Sequence, residues 1–361
     1  MKYFTSARLQ ILLVNMKEVN MLKINAATHF SDSMNASKQF LSRCTDRIVK
    51  NPWLWISFVL YIVAYIPYAI LSKQVGTKAQ IWQIMILTSA AACAVTIFEF
   101  FAIGIYRFIK SKNASDIISF WRELKFTSAN VGMACASAMI SLTTSASYMY
   151  AGAALVTMLL LTRGSVLMIA PISDKIQNRT VKTNTWIGFC LAFVAVLCSI
   201  LGAGVPSGVG WLVILAMYAG AYVVNMKHYG ANQENFKFLC ASQLVCCFLM
   251  LFVSTASLCV TDATNFSVLP RDTQIKAFFV GVLAQTTGIF GPMIMMSKTE
   301  QTYSVPINRS GSVFAGALAQ KILGRNIELP AFLGILFFIA AVFMLAFGKT
   351  SQTNPNTNSD A

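Results

Sequence analysis

Ten long apolar runs follow one another along this 361-residue chain, and they constrain its fold more than any other feature. A bilayer core of ~30 Å takes about 20 apolar residues of helix to cross. Inside it, only a structure that satisfies its own backbone hydrogen bonds is stable. The runs occupy 53–71, 81–105, 129–149, 152–173, 185–204, 208–226, 238–260, 277–297, 303–320 and 330–348. They predict an all-α, polytopic membrane protein with ten transmembrane helices. The third and fourth runs nearly fuse, so 150–152 is the weakest boundary. Composition argues the same way: 56% of residues are hydrophobic and 11% charged, where soluble domains carry about 25% charge. A soluble globular enzyme is excluded. Trp53, Trp55, Trp82, Trp186 and Trp211 all stand near the start of a run, where an interfacial aromatic belt places them.

The net charge of +15 has its own explanation. Cytoplasmic loops of membrane proteins collect Lys and Arg, so no nucleic-acid partner is called for. With the N-terminus inside, 20 of the 28 basic residues fall in segments placed inside and six, Lys73 among them, in those placed outside. That bias sets both termini in the cytoplasm, in a bacterial inner or plasma membrane or a eukaryotic organelle membrane. The remaining two are Arg163 and Arg309, within the runs. Residues 1–51 read as a polar, partly disordered cytoplasmic segment. Residues 52–204 and 205–348 read as two five-helix halves, and the Asn/Thr/Ser-rich 349–361 as a disordered cytoplasmic tail. Eight of the nine cysteines lie in apolar runs and read as small hydrophobes, not a disulfide framework. Between the second and third runs, Ile117, Ile118, Trp121 and Leu124 share one helical face. This predicts a short helix on the membrane surface, with a solvated loop helix as the alternative.

The two halves echo each other. At a constant offset of 146, Arg163 meets Arg309, Lys175 meets Lys321, Ile176 meets Ile322, Arg179 meets Arg325 and Gly188 meets Gly334. More loosely, Thr143 and Thr144 pair with Thr286 and Thr287, and the Tyr-rich stretch ending at Lys73 pairs with that ending at Lys227. Five spans is an odd number, so the second copy inserts upside down, as in alternating-access transporters with a midplane site.

These segments carry a resemblance. Tyr148-Met149-Tyr150-Ala151-Gly152-Ala153, then Leu161-Thr162-Arg163-Gly164-Ser165-Val166 and Ala170-Pro171-Ile172, look like the fourth helix of the drug/metabolite transporter superfamily. The basic patch from Lys175 to Gly188 fits as well, as do Asn308-Arg309-Ser310-Gly311-Ser312-Val313 and Gly324 to Pro330. The likeness spans about residues 53–348. It implies a ten-helix inverted repeat, and basic residues on the fourth and ninth helices, here Arg163 and Arg309, that hold substrate phosphates. The lysine-containing motif of many nucleotide-sugar transporters is absent, which leaves the substrate class open.

The residues themselves point to a site. A charge in a bilayer costs at least about 2.5 kcal/mol, which an acidic partner, a wet cavity or an anionic ligand must offset. Glu99 is the acid within a run, and it cannot neutralise both arginines. Glu99 therefore reads as either a proton carrier or an ion-pair lock. Arg163, Arg309, Gln285, Thr144 and Thr287 read as substrate-binding residues, with close helix packing as the competing account of the smaller ones. Tyr65, Tyr68, Tyr218 and Tyr222 could stack a ring-shaped ligand, but the interfacial belt is the simpler reading. No catalytic set, metal site or cofactor motif is present, so no enzyme activity is expected. The expectation is a secondary transporter of a small anionic, phosphate-bearing metabolite, with membrane lipids as its surroundings. Alternatives are an exporter of amino acids or drug-like amphiphiles, and a non-transporting receptor or scaffold. A homodimer stays open.

Overall fold

Every backbone amide inside a bilayer needs a partner from its own segment, and the apolar runs answer with helix. A computed structural model describes residues 52–76, 81–113, 115–150, 155–176, 181, 183–203, 209–233, 235–260, 269–297 and 301–347. The N-terminal segment, the tail and the junction at 151–154 lie outside them. The described elements are α1 (Pro52–Gly76), α2 (Ile81–Ser111), α3 (Asp116–Glu123), α4 (Ser128–Tyr150), α5 (Leu155–Ile176), α6 (Thr183–Ala203), α7 (Val209–Ala231), α8 (Phe236–Val260), α9 (Arg271–Met295), α10 (Gln301–Ile322) and α11 (Leu329–Phe347). No strand occurs among the described residues. Contacts divide the chain after Trp53, and the account below concerns the unit from Leu54 onward.

Four helices, α1, α2, α8 and α9, are long and apolar enough to cross a membrane, and α5, α6 and α11 contain shorter apolar stretches. The Ser/Thr run of α4 and the Arg-Ser-Gly-Ser stretch of α10 dilute their hydropathy, because those helices turn polar residues inward. The surface is correspondingly apolar: Phe98, Phe252, Leu201 and Val260 are each more than 70% exposed. Large exposed apolar area on this scale marks contact with lipid or another apolar surface. Polar groups go inside instead, with Arg163, Asn225, Gln285 and Arg309 all buried. This arrangement fits a multi-pass membrane protein.

Small residues bring the helices together, as they do where lipid supplies no hydrophobic drive between them. A Cβ on Gly281 of α9 would stand 2.2 Å from the Thr88 carbonyl of α2, and one on Gly316 of α10 would stand 1.9 Å from Leu159 of α5. The start of α4 is closed by side chains. Thr127 and Asn130 cap α4 reciprocally: the Thr127 amide donates to Asn130 Oδ1 (2.9 Å) and the Asn130 amide to Thr127 Oγ1 (3.4 Å). Asn130 Nδ2 also donates to the Phe238 carbonyl (3.1 Å), which fixes α4 against α8. The eight cysteines of the apolar runs are free thiols.

The expected short helix α3 forms, with Leu124 and Phe120 buried, Trp121 half-buried and Ile118 53% exposed. Phe120 and Trp121 both stack edge-on against Phe100 of α2, at centroid distances of 5.4 and 5.0 Å. Two details differ from the sequence expectation. Lys73 lies inside α1 and is buried, where a loop was expected. His228 likewise lies within α7, which continues past the apolar run to Ala231.

Candidate functional site

Eight helices (α1, α2, α4, α5, α7, α8, α9 and α10) wall a cavity of about 190 Å³. Arg163, Arg309, Gln285, Thr144 and Thr287, the five residues the sequence singles out for substrate, all line it. Glu99 does not. It sits half-buried on α2, beyond the cavity, and forms no ion pair among the described residues. It therefore locks neither arginine.

Each arginine is held by tyrosines. Arg163, 4% exposed, donates from Nη2 to the Tyr65 hydroxyl at 2.8 Å. Its guanidinium lies 5.1 Å from the centre of the Tyr218 ring and 5.9 Å from that of Tyr65. Arg309, also 4% exposed, donates from Nη1 to the Tyr218 hydroxyl at 3.3 Å and from Nη2 to Asn308 Oδ1. Its guanidinium lies 4.5 Å from the Tyr222 ring centre. Cation–π contacts of this kind contribute about 0.5–2 kcal/mol each. They hold the cations in place without neutralising them. Tyr218 serves both arginines, one through its face and the other through its hydroxyl. No Asp or Glu lines the cavity among the described residues, so its wall carries two permanent positive charges.

The tyrosines turn inward: Tyr65 is 2% exposed, Tyr218 0% and Tyr222 7%, so their rings pack between helices and do not face outward as belt residues do. On α1 the rings of Tyr61, Tyr65 and Tyr68 follow one another at 5.4 Å, and on α7 those of Tyr218 and Tyr222 are 4.9 Å apart. Sequence reasoning missed Tyr61, Asn225 and Tyr229, which also line the cavity. A signal was present. Tyr61 and Tyr65 match Tyr218 and Tyr222 at a constant offset of 157, and the i, i+4, i+7, i+11 spacing keeps Tyr61, Tyr65, Tyr68 and Ser72, and likewise Tyr218, Tyr222, Asn225 and Tyr229, on one helical face.

The far wall is uncharged. Gln243 of α8 donates from Nε2 to the Gly288 carbonyl of α9 at 2.8 Å. Gly288 stands four residues before Pro292, which has no N–H to offer its carbonyl. Gln243 replaces that missing backbone donor. Asn225 donates from Nδ2 to Ser137 Oγ at 3.1 Å, and the Cys247 thiol donates to Gln285 Oε1 at 3.6 Å. Asn225 Oδ1, Gln285 Nε2 and Arg309 Nε are buried with no hydrogen-bond partner among the described residues. The Thr287 hydroxyl donates to the Ala284 carbonyl of its own helix at 2.9 Å and keeps only acceptor capacity for a ligand.

Outside the spans, Glu123 at the end of α3 bonds Arg107 at 2.7 Å and Lys237 at 2.7 Å, joining α2, α3 and α8. The hydrogen bond from Arg107, and then that from Lys237, hold its carboxyl down to about 2.

No family model matches the chain, and no curated protein does. Among solved structures, one described only as "Crystal structure of protein" has a TM-score of 0.54 and 13% identity, covering 81% of this chain and 96% of that one. At that identity the likeness is one of fold.

Proposed function

We propose that the chain is a secondary transporter that moves a small organic anion by alternating access, through ten transmembrane helices built as two inverted five-helix halves. One observation carries the reading: two buried arginines line one tyrosine-walled cavity with no carboxylate in its wall among the described residues. An anion between them removes the repulsion of two guanidiniums. The planar fork of arginine suits it to grip phosphate or carboxylate oxygens in pairs. The matching helix positions of Arg163 and Arg309 support the inverted repeat and the proposed kinship with the drug/metabolite transporter superfamily. Phosphate-bearing metabolites come first as substrates. The chemistry is transfer, with no covalent step, and the drive is exchange or an ion gradient. If protons couple, Glu99→Gln abolishes the pH dependence of uptake.

The test is a thermal-shift screen of purified protein against phosphorylated metabolites, amino acids and organic cations. A ligand at 100 times its Kd stabilises by about 2.7 kcal/mol. Arg163→Ala and Arg309→Ala should each abolish the shift by an anion, and lysine at either site should restore it only in part. A folded double-alanine protein that still binds anions with wild-type affinity would end this reading. In that case an exporter of aromatic amphiphiles, which the tyrosine faces favour, takes first place. Topology is tested separately. Cysteines placed at Pro270 and Asn326 should label from outside in sealed cells, and those at Ser115 and Gln233 should not. Outside labelling of Ser115 would overturn the N-in arrangement.

A further inference from the structure

Two buried amides in the cavity wall are each used at one end only. Asn225, 1% exposed, gives its Nδ2 to Ser137 and leaves Oδ1 without a partner; Gln285, 4% exposed, has its Oε1 engaged by Cys247 and leaves Nε2 without one. Buried polar atoms are almost always hydrogen-bonded, and each exception needs a reason. Leaving one unmade costs about 1–3 kcal/mol, and here two amide atoms are left so in residues that line one cavity. The protein partners, a hydroxyl and a thiol, can each donate or accept. Either amide can therefore turn over and keep its partner, with one end still unmade in a residue that lines the cavity.

We infer that Asn225 and Gln285 form a neutral subsite, distinct from the arginines, that recognises an uncharged substrate group able both to donate and to accept hydrogen bonds, such as a carboxamide or a hydroxyl. This rests on the anion reading above and narrows its substrate. The anionic end takes Arg163 and Arg309, and the substrate carries, away from that end, a polar group that completes the two amides. The tyrosine faces of Tyr61 and Tyr222 sit in the same cavity wall and suit a flat body joining the two ends. A bare inorganic anion would fill only the arginine end.

A matched pair of probes tests it: phenyl phosphate, and 4-carbamoylphenyl phosphate, which has the same charge and ring and adds one carboxamide. Binding to purified protein is measured by calorimetry. Two net hydrogen bonds correspond to roughly tenfold to a hundredfold in affinity, so the carboxamide probe should bind the wild type at least about tenfold tighter. Gln285→Met and Asn225→Leu should each shrink that preference, read as the ratio of the two probes' affinities within each protein, which a general loss of fold would leave unchanged. A wild-type preference below about threefold overturns the subsite, and that comparison needs no variant to fold. If phenyl phosphate binds and Arg163→Ala abolishes it while the carboxamide adds nothing, the subsite fails alone. If neither probe binds, the anion reading fails and the subsite with it.

Discussion

The bond from Gln243 to the Gly288 carbonyl yields a quantitative test of how this bundle tolerates proline. Replacing Gln243 with Leu keeps the side chain's size and removes its donor. The Gly288 carbonyl then has neither a helical N–H, because Pro292 has none, nor a side-chain partner. An orphaned acceptor costs about 1–3 kcal/mol when fully buried, and the Gly288 carbonyl is only half-buried. Gln243→Leu should therefore destabilise the protein by about 1 kcal/mol. In a Pro292→Ala background, the new residue supplies its own N–H to Gly288. There the carbonyl keeps a partner, so the same change should cost less than half as much, and the difference is the coupling energy of the pair. The assay is equilibrium unfolding in mixed micelles of all four proteins of the cycle. A cost for Gln243→Leu that is the same in both backgrounds would refute the argument, since it would show the loss to be one of packing and not of the carbonyl's partner.

Other outcomes follow from the same coordinates. Gly281→Ala should cost about 1–3 kcal/mol by overpacking, because its Cβ meets backbone 2.2 Å away, whereas Gly220→Ala, with nothing within 4 Å, should be nearly silent; equal thermal midpoints for the two would contradict the close packing of α2 on α9. Glu123 titrates below its ordinary range, so its tie to Arg107 and Lys237 is fully present above about pH 4.3 and fades as pH falls toward about 2. The gap in thermal midpoint between wild type and Glu123→Gln should accordingly be constant from pH 7 to 5 and close at lower pH; a gap that widens on acidification would reverse the sign. Tyr218→Phe keeps the ring beneath Arg163 and removes the hydroxyl that anchors Arg309, so anion affinity should fall about tenfold and further for Tyr218→Leu; equal losses would mean that the ring itself contributes nothing.

The helices were legible because bilayer thickness imposes a length that any apolar run displays. The arginines stood out because a charge at that depth demands a reason, and the structure puts both beside one cavity with Gln285, Thr144 and Thr287. Glu99 offered the same kind of signal, yet it lies outside that cavity on α2. Depth along a helix can be counted from the sequence, but rotation about its axis cannot when lipid-facing and core-facing sides are equally apolar. The same ambiguity hid Tyr61, Asn225 and Tyr229, whose shared face appears only once α1 and α7 are aligned on each other. The role of Gln243 needed a neighbour in space: a proline announces an orphaned carbonyl four residues earlier, but not which helix will supply the donor.

Tyr218 lends its face to Arg163 and its hydroxyl to Arg309, so the two cations rest on opposite functions of one rigid part. A ligand that draws Arg309 off the hydroxyl therefore breaks a bond to the same residue whose ring supports Arg163, and substitutions at Tyr218 reach both cations at once.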